Sequence, residues 1–209
     1  MNTWEPGAWW APSRASWWVG VLFAVGSACF AVAPFPGFVE LVGSAVDGLV
    51  FFVGSIFFTS AATLQLVEAG IFEHRGIDWW SCAVQVLGTL FFNLSTFRAL
   101  QSGLDTTEYN RLVWRPDALG SICFLISGYL AYLEVCDRPF WRPRRSREWW
   151  IAGVNLAGCV FFGISAVTGH LVPSTGSAVD LAAANATTVL GALCFFAGAV
   201  LLLPESAGA

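Results

Sequence analysis

Apolar residues gather in six runs, at about residues 17–33, 47–67, 79–99, 116–135, 149–170 and 180–203, with the polar residues collected between them. Each run is near the roughly 20 residues that an α-helix needs to cross a hydrocarbon core of about 30 Å. The pattern therefore predicts six membrane-spanning helices joined by loops of about 11 to 17 residues, with no room left for a soluble domain.

One pentapeptide recurs in every run: Gly, a small residue, any residue, Cys or Phe, then Phe. The copies begin at Gly26, Gly54, Gly88, Gly120, Gly158 and Gly191 and end at Phe30, Phe58, Phe92, Phe124, Phe162 and Phe195. Self-similarity at this scale marks duplicated units. Odd and even runs carry different additions. Trp17-Trp18, Trp79-Trp80 and Trp149-Trp150 open the odd runs, whereas Glu68, Glu134 and Glu205 each follow the motif glycine of an even run by fourteen residues. Three copies of one helical hairpin, at about 17–67, 79–135 and 149–203, account for both facts.

At 100° per residue the motif glycine, the Phe four later and the residue seven later share one helix face. That seventh position reads Ala33, Ala61, Ser95, Ser127, Ser165 and Gly198. Small residues one and two turns apart let helices approach closely in a solvent that provides no hydrophobic drive between them. The glycine stripe is expected to face protein, and the variable Leu, Val and Phe positions to face lipid.

The element Phe51-Phe52-Val53-Gly54-Ser55-Ile56-Phe57-Phe58, with its echoes at Gly26-Ser27 and Gly120-Ser121, resembles the YrhK-like domain family, short bacterial membrane modules of two helices with a Phe-Gly-Ser-like element in each. The resemblance covers one or two hairpins and implies a membrane location without a known activity. Three hairpins exceed a single two-helix module.

Composition agrees with a lipid environment: 56% of residues are hydrophobic, 11% are charged and the mean hydropathy is +0.67. Such a chain could hardly cover itself with polar surface in water. The net charge of −4 is small and mixed along the loops, so nucleic acid is not an expected partner. Arginines set the topology. Arg14, Arg75, Arg138, Arg142, Arg144, Arg145 and Arg147 flank one side, and Arg98, Arg111 and Arg115 the other. The positive-inside bias then puts both termini in the cytoplasm of a cell-membrane protein, with the tryptophan pairs and the glutamates at the inner interface. The first run has signal-like features, Arg14 before it and Ala31-Val32-Ala33 at its end, but Pro34 obstructs cleavage and the run is read as a span. The arginines from Arg138 to Arg147 suit contact with anionic lipid. A homo-oligomer is compatible with the pattern.

Candidate chemistry is sparse. The cysteines form no CxxC pair, and Cys29, Cys123 and Cys194 occupy a repeat position that Phe57, Phe91 and Phe161 fill elsewhere, so they are read as packing groups. His74 and His170 stand alone at helix ends. No metal, cofactor or catalytic set is expected, and no enzyme activity. The sequons at Asn93 and Asn185 fall inside predicted helices.

Polar groups within the spans are the remaining leads. Asp117, directly after Pro116, suits either a capping role in the first turn of a helix or a buried functional carboxylate. Asn93 is expected at a similar depth, close enough to share a hydrogen bond with it. Gln85 and Asn155 occupy one repeat position, three residues before the motif glycine, and are read as interhelical hydrogen-bonding groups in preference to ligand-binding ones. Asn185, Thr187 and Thr188 add a polar cluster that could line a shallow outer cavity with Asp117 and Asn93, or equally satisfy one another in a dry bundle. The glutamates oppose their own helix dipoles, which an arginine ring or a bound cation or proton would compensate; the third reading is plain solvated helix ends. Two readings of function follow: a structural or interaction protein of the membrane, or a carrier or channel for a small solute or ion.

Overall fold

The structure, a computed structural model, describes residues 9–70, 76–136 and 146–208, with side chains placed as far as Leu203. It is all-helical apart from one two-stranded ribbon. The elements are α1 (Ala15–Val32), α2 (Phe38–Val42), α3 (Ser44–Glu68), α4 (Ile77–Ala99), α5 (Thr106–Tyr109), a π-helical turn (Asn110–Trp114), α6 (Arg115–Glu134), α7 (Arg147–Thr168), β1 (Leu171–Val172), β2 (Ser177–Ala178) and α8 (Leu181–Gly208). Five helices are long and apolar enough to cross a membrane: Ala15–Val32, Ser44–Glu68, Thr106–Glu134, Arg147–Thr168 and Leu181–Leu203. The run expected at 79–99 forms α4, which has the length but not that apolarity.

Each long helix packs on its neighbours in sequence, and α8 returns against α1 to close the ring. Inside α1/α3, α4/α6 and α7/α8 the motif glycines face each other. A Cβ placed on Gly26 would stand 3.0 Å from the Gly54 carbonyl, one on Gly120 3.1 Å from that of Gly88, and one on Gly158 3.1 Å from that of Gly191. The missing side chains are what allow the backbones to touch. The residue after each glycine is sealed into the ring: Ser27, Ser55, Thr89, Ser121, Cys159 and Ala192 are all buried.

The Phe that ends each motif points to the common axis. Phe30, Phe58, Phe92, Phe124, Phe162 and Phe195 form a connected cluster with ring centroids 4.9 to 6.4 Å apart, mostly edge to face or tilted. Such arrangements suit the ring quadrupole. Only about 10 Å³ of space remains among five of these rings and Ser55, too little to hold a water with its hydrogen bonds. The outward positions carry branched aliphatics, among them Ile56, Leu90, Ile122, Val160 and Leu193.

The fourth expected span differs from the sequence reading in its start. Pro116 was expected to open a helix, but the helix runs unbroken from Thr106 to Glu134. Its N-terminus lies at Asp105, where a capping box pairs Asp105 with the Glu108 N–H and Glu108 with the Asp105 N–H. Proline has no N–H to donate and its ring crowds the carbonyl four residues back. The wider π turn just before it, at Asn110–Trp114, absorbs both defects.

That turn also ties the second pair of helices to the third. The Asn110 side chain donates to the Leu171 carbonyl at 2.7 Å and accepts from the Leu171 N–H at 3.1 Å, and Trp114 Nε1 donates to the Ala166 carbonyl at 2.7 Å. His170 packs on Trp114 at 4.6 Å. Replacing Asn110 with alanine leaves both backbone groups of Leu171 without these partners, and a loss of about 1–3 kcal/mol is expected. Thermal unfolding in micelles checks the size, and faster exchange of the Leu171 amide checks the cause.

Candidate functional site

The Trp pairs repeat as local structures at one end of the ring. Trp17–Trp18, Trp79–Trp80 and Trp149–Trp150 each pack edge to face at 4.9 to 5.0 Å. Trp18, Trp80 and Trp150 are exposed, whereas Trp17 is buried and Trp79 and Trp149 are half-buried. The inner rings anchor inward: Trp17 Nε1 donates to the Trp9 carbonyl, and Trp149 Nε1 reaches the Tyr132 hydroxyl at 3.2 Å.

On the axis at this same end lies a cavity of about 120 Å³, to which every long helix contributes. Its floor is aromatic, made by Phe23, Phe124 and Phe195. Above that floor it is lined by three amides, Gln65 of α3, Gln85 of α4 and Asn155 of α7. Serines add to the polar wall: Ser81 donates to the Ser127 carbonyl at 3.0 Å, joining α4 to α6. Positions follow the repeat closely. The residues three before the motif glycine in α1, α4 and α7 are Phe23, Gln85 and Asn155, and those eleven after it in α3, α6 and α8 are Gln65, Ala131 and Leu202, and all six face the cavity.

Gln85 and Asn155 thus share a site, but not by joining helices as expected: neither side chain makes a hydrogen bond among the described residues. Gln65 was not singled out by the sequence reading. Its signal was present all the same, an amide within an apolar run at a fixed offset from the motif glycine. Its Oε1 is buried without a hydrogen-bond partner.

The other intramembrane candidates do not reach this cavity. Asn93 Nδ2 donates to Thr59 Oγ1 of α3 at 2.8 Å, so it does not pair with Asp117. Asp117 is half-buried on α6, well past the first turn of its continuous helix, which removes the capping role. Thr187 bonds back to the Ala183 carbonyl at 2.7 Å, and Thr188 joins Ser165 of α7 at 2.6 Å. Asn185 is half-buried on α8. Asn93 thus turns to α3, Thr188 to α7 and Thr187 to its own helix.

Glu68 and Glu134 are exposed at the ends of α3 and α6. Glu68 lies against the Ser16 backbone N–H at the start of α1, so the antiparallel partner's helix N-terminus offsets the unfavourable dipole of its own helix. Glu134 sits near Asp78 in the first turn of α4. The Glu205 side chain, His74, Arg75 and Arg138, Arg142, Arg144 and Arg145 lie outside the described residues. Arg147 is half-buried at the start of α7.

The cysteines at the fourth motif position pack against the facing glycine. A Cβ on Gly54 would meet the Cys29 Cβ, one on Gly88 the Cys123 Cβ and one on Gly158 the Cys194 Cβ, at 2.8 to 3.2 Å. Phe57, Phe91 and Phe161 hold the same position on the other helix of each pair. One helix per pair carries the small thiol and its partner the ring, an asymmetry of steric origin. No group of three or more His, Cys, Asp or Glu that could hold a metal occurs among the described residues.

No protein-family model, curated protein or solved structure matches this chain.

Proposed function

We propose that the protein is a six-crossing integral protein of the cytoplasmic membrane, made of three tandem hairpins, with a structural or interaction role and no open conduit. The observation that supports this most strongly is the meeting of the motif phenylalanines on the axis, where five of them and Ser55 enclose only about 10 Å³. A pore needs a continuous wet path, and the polar cavity stops at that aromatic floor.

Membership of α4 among the crossings is supported by which way its side chains turn. Ser81, Thr89, Ser95 and Thr96 are buried in the ring, while Leu87, Leu90, Leu94 and Phe97 are exposed. A helix that is polar inside and apolar outside suits lipid, where polar groups are costly unless they face protein. The hairpin reading is supported by the reciprocal glycine contacts within α1/α3, α4/α6 and α7/α8. The arginine bias supports cytoplasmic termini, and the sequence run from Arg138 to Arg147 suits contact with anionic headgroups. Kinship with YrhK-like modules belongs to the same proposal and rests on Phe51 to Phe58.

A carrier for a small solute is the second reading, supported by the one-ended polar cavity. In that case the phenylalanine cluster must part during transport.

Reconstitution into liposomes separates the two. Fluxes of K⁺, Cl⁻ and small uncharged solutes are expected to equal those of empty liposomes, and a saturable flux above that background removes the structural reading in favour of the carrier. Cysteine-accessibility mapping is expected to label the segments around residues 102 and 175 from one side and both termini from the other.

A further inference from the structure

We infer that the axial cavity is a binding site for a small uncharged molecule that both donates and accepts hydrogen bonds and carries a short alkyl part. This inference goes beyond the membrane role proposed above and does not depend on it, since a sealed scaffold and a carrier could both hold such a ligand.

Three features of the cavity support it. First, the three amides come one from each helix pair: Gln65 from α1/α3, Gln85 from α4/α6 and Asn155 from α7/α8. Their repeat equivalents around the same cavity are apolar, so an amide is not a packing requirement of those positions. Phe23 replaces Gln85 and Asn155, and Ala131 and Leu202 replace Gln65. Second, these amides are not spent on one another. Gln85 and Asn155 make no hydrogen bond among the described residues and the Gln65 Oε1 is buried and unpartnered. A buried polar atom left unpaired is unfavourable, so an occupant that donates to Gln65 Oε1 and engages the free amides of Gln85 and Asn155 is favoured.

Third, among the described residues the wall contains no carboxylate, guanidinium or imidazole. An ion would lose hydration against these lining groups without a counter-charge among them, which favours an uncharged occupant. Amide groups present both an N–H₂ donor and a carbonyl acceptor. The matching ligand therefore carries both functions, and the Phe23, Phe124 and Phe195 floor takes its alkyl part. A cavity of about 120 Å³ has room for several waters or one molecule of about five to eight heavy atoms. A short-chain primary amide meets every requirement.

The test uses the full-length protein in detergent micelles with propionamide as the probe, read by saturation-transfer NMR against empty micelles. Propionate and propylammonium serve as charged isosteres. Saturable binding of propionamide is expected, with both charged isosteres at least tenfold weaker. The Gln85→Leu/Asn155→Leu double variant is expected to weaken propionamide at least tenfold, and Asn185→Leu, remote from the cavity, to leave it unchanged. Should the double variant not fold, Gln85→Leu and Asn155→Leu alone are each expected to weaken binding at least threefold. Absence of saturation in the wild type, equal binding of either charged isostere, or undiminished binding in the folded variants overturns the assignment. A negative result here leaves the liposome flux measurement untouched, so the two readings fail separately.

Discussion

Truncating Phe124 to alanine is expected to destabilise the protein by about 3 kcal/mol or more and to connect the axial cavity with the space inside the aromatic cluster. Phe124 is 3% exposed and stands at the meeting point of both features. Its ring contacts Phe92 at 4.9 Å, Phe195 at 5.8 Å and Phe58 at 6.4 Å, and it covers Gly88. Removing a buried ring costs about 3–5 kcal/mol in water-soluble cores, from lost transfer free energy and the cavity left behind. In lipid the transfer part shrinks, because unfolded helices remain in an apolar solvent, but lost dispersion contacts persist. That places the expected value at the lower end. Thermal unfolding in micelles measures it, and an unchanged midpoint contradicts a packed cluster. The Phe124→Ala/Phe195→Ala pair is further expected to make liposomes leak small solutes that the wild type retains.

The second large effect concerns the glycine contacts. Gly88→Val is expected to cost more than the 1–3 kcal/mol typical of overpacking, because both methyls of a branched side chain enter a helix contact with no slack. Even a bare Cβ at Gly88 would stand 2.7 Å from Phe124 Cδ1 and 3.0 Å from the Cys123 Cβ. The ring cannot swing away without disturbing the cluster around it. Gly153→Ala provides the contrast within the same fold. A Cβ there would have Tyr132 Cε2 at 3.9 Å as its nearest contact, so no clash arises. Alanine's better helix propensity then predicts a neutral or stabilising change of up to about 1 kcal/mol. If both substitutions proved equally harmless, the close approach of α4 and α6 through their motif glycines would be refuted.

Much of this could be read along the chain, and the misses have specific causes. The tryptophan pairs, the motif glycines and the small residue seven later are local patterns, visible at helical spacing. The start of the fourth run was misplaced because Pro116 is a strong helix-opening signal by local rules, whereas the chain before it stays helical through a π turn. That turn is secured by Asn110 and Trp114 bonding to segments more than fifty residues away. The pairing imagined between Asn93 and Asp117 assumed only equal depth. Depth says nothing of azimuth, and Asn93 faces Thr59 on the other neighbour of α4. Gln65 passed unnoticed since a single amide near a helix end looks like an interfacial residue until the facing walls are known.

By itself the sequence determined the long helices and the contact surface of each. An apolar run of bilayer length must satisfy its own backbone polar groups as a helix, and a glycine stripe decides which side can touch another backbone. Only the tertiary structure decided that α8 closes on α1, so that six phenylalanines meet on one axis and one amide from each pair looks into a common space. Ring closure joins the two most distant long helices in the chain, and no pattern within a single helix encodes what stands across the ring from it.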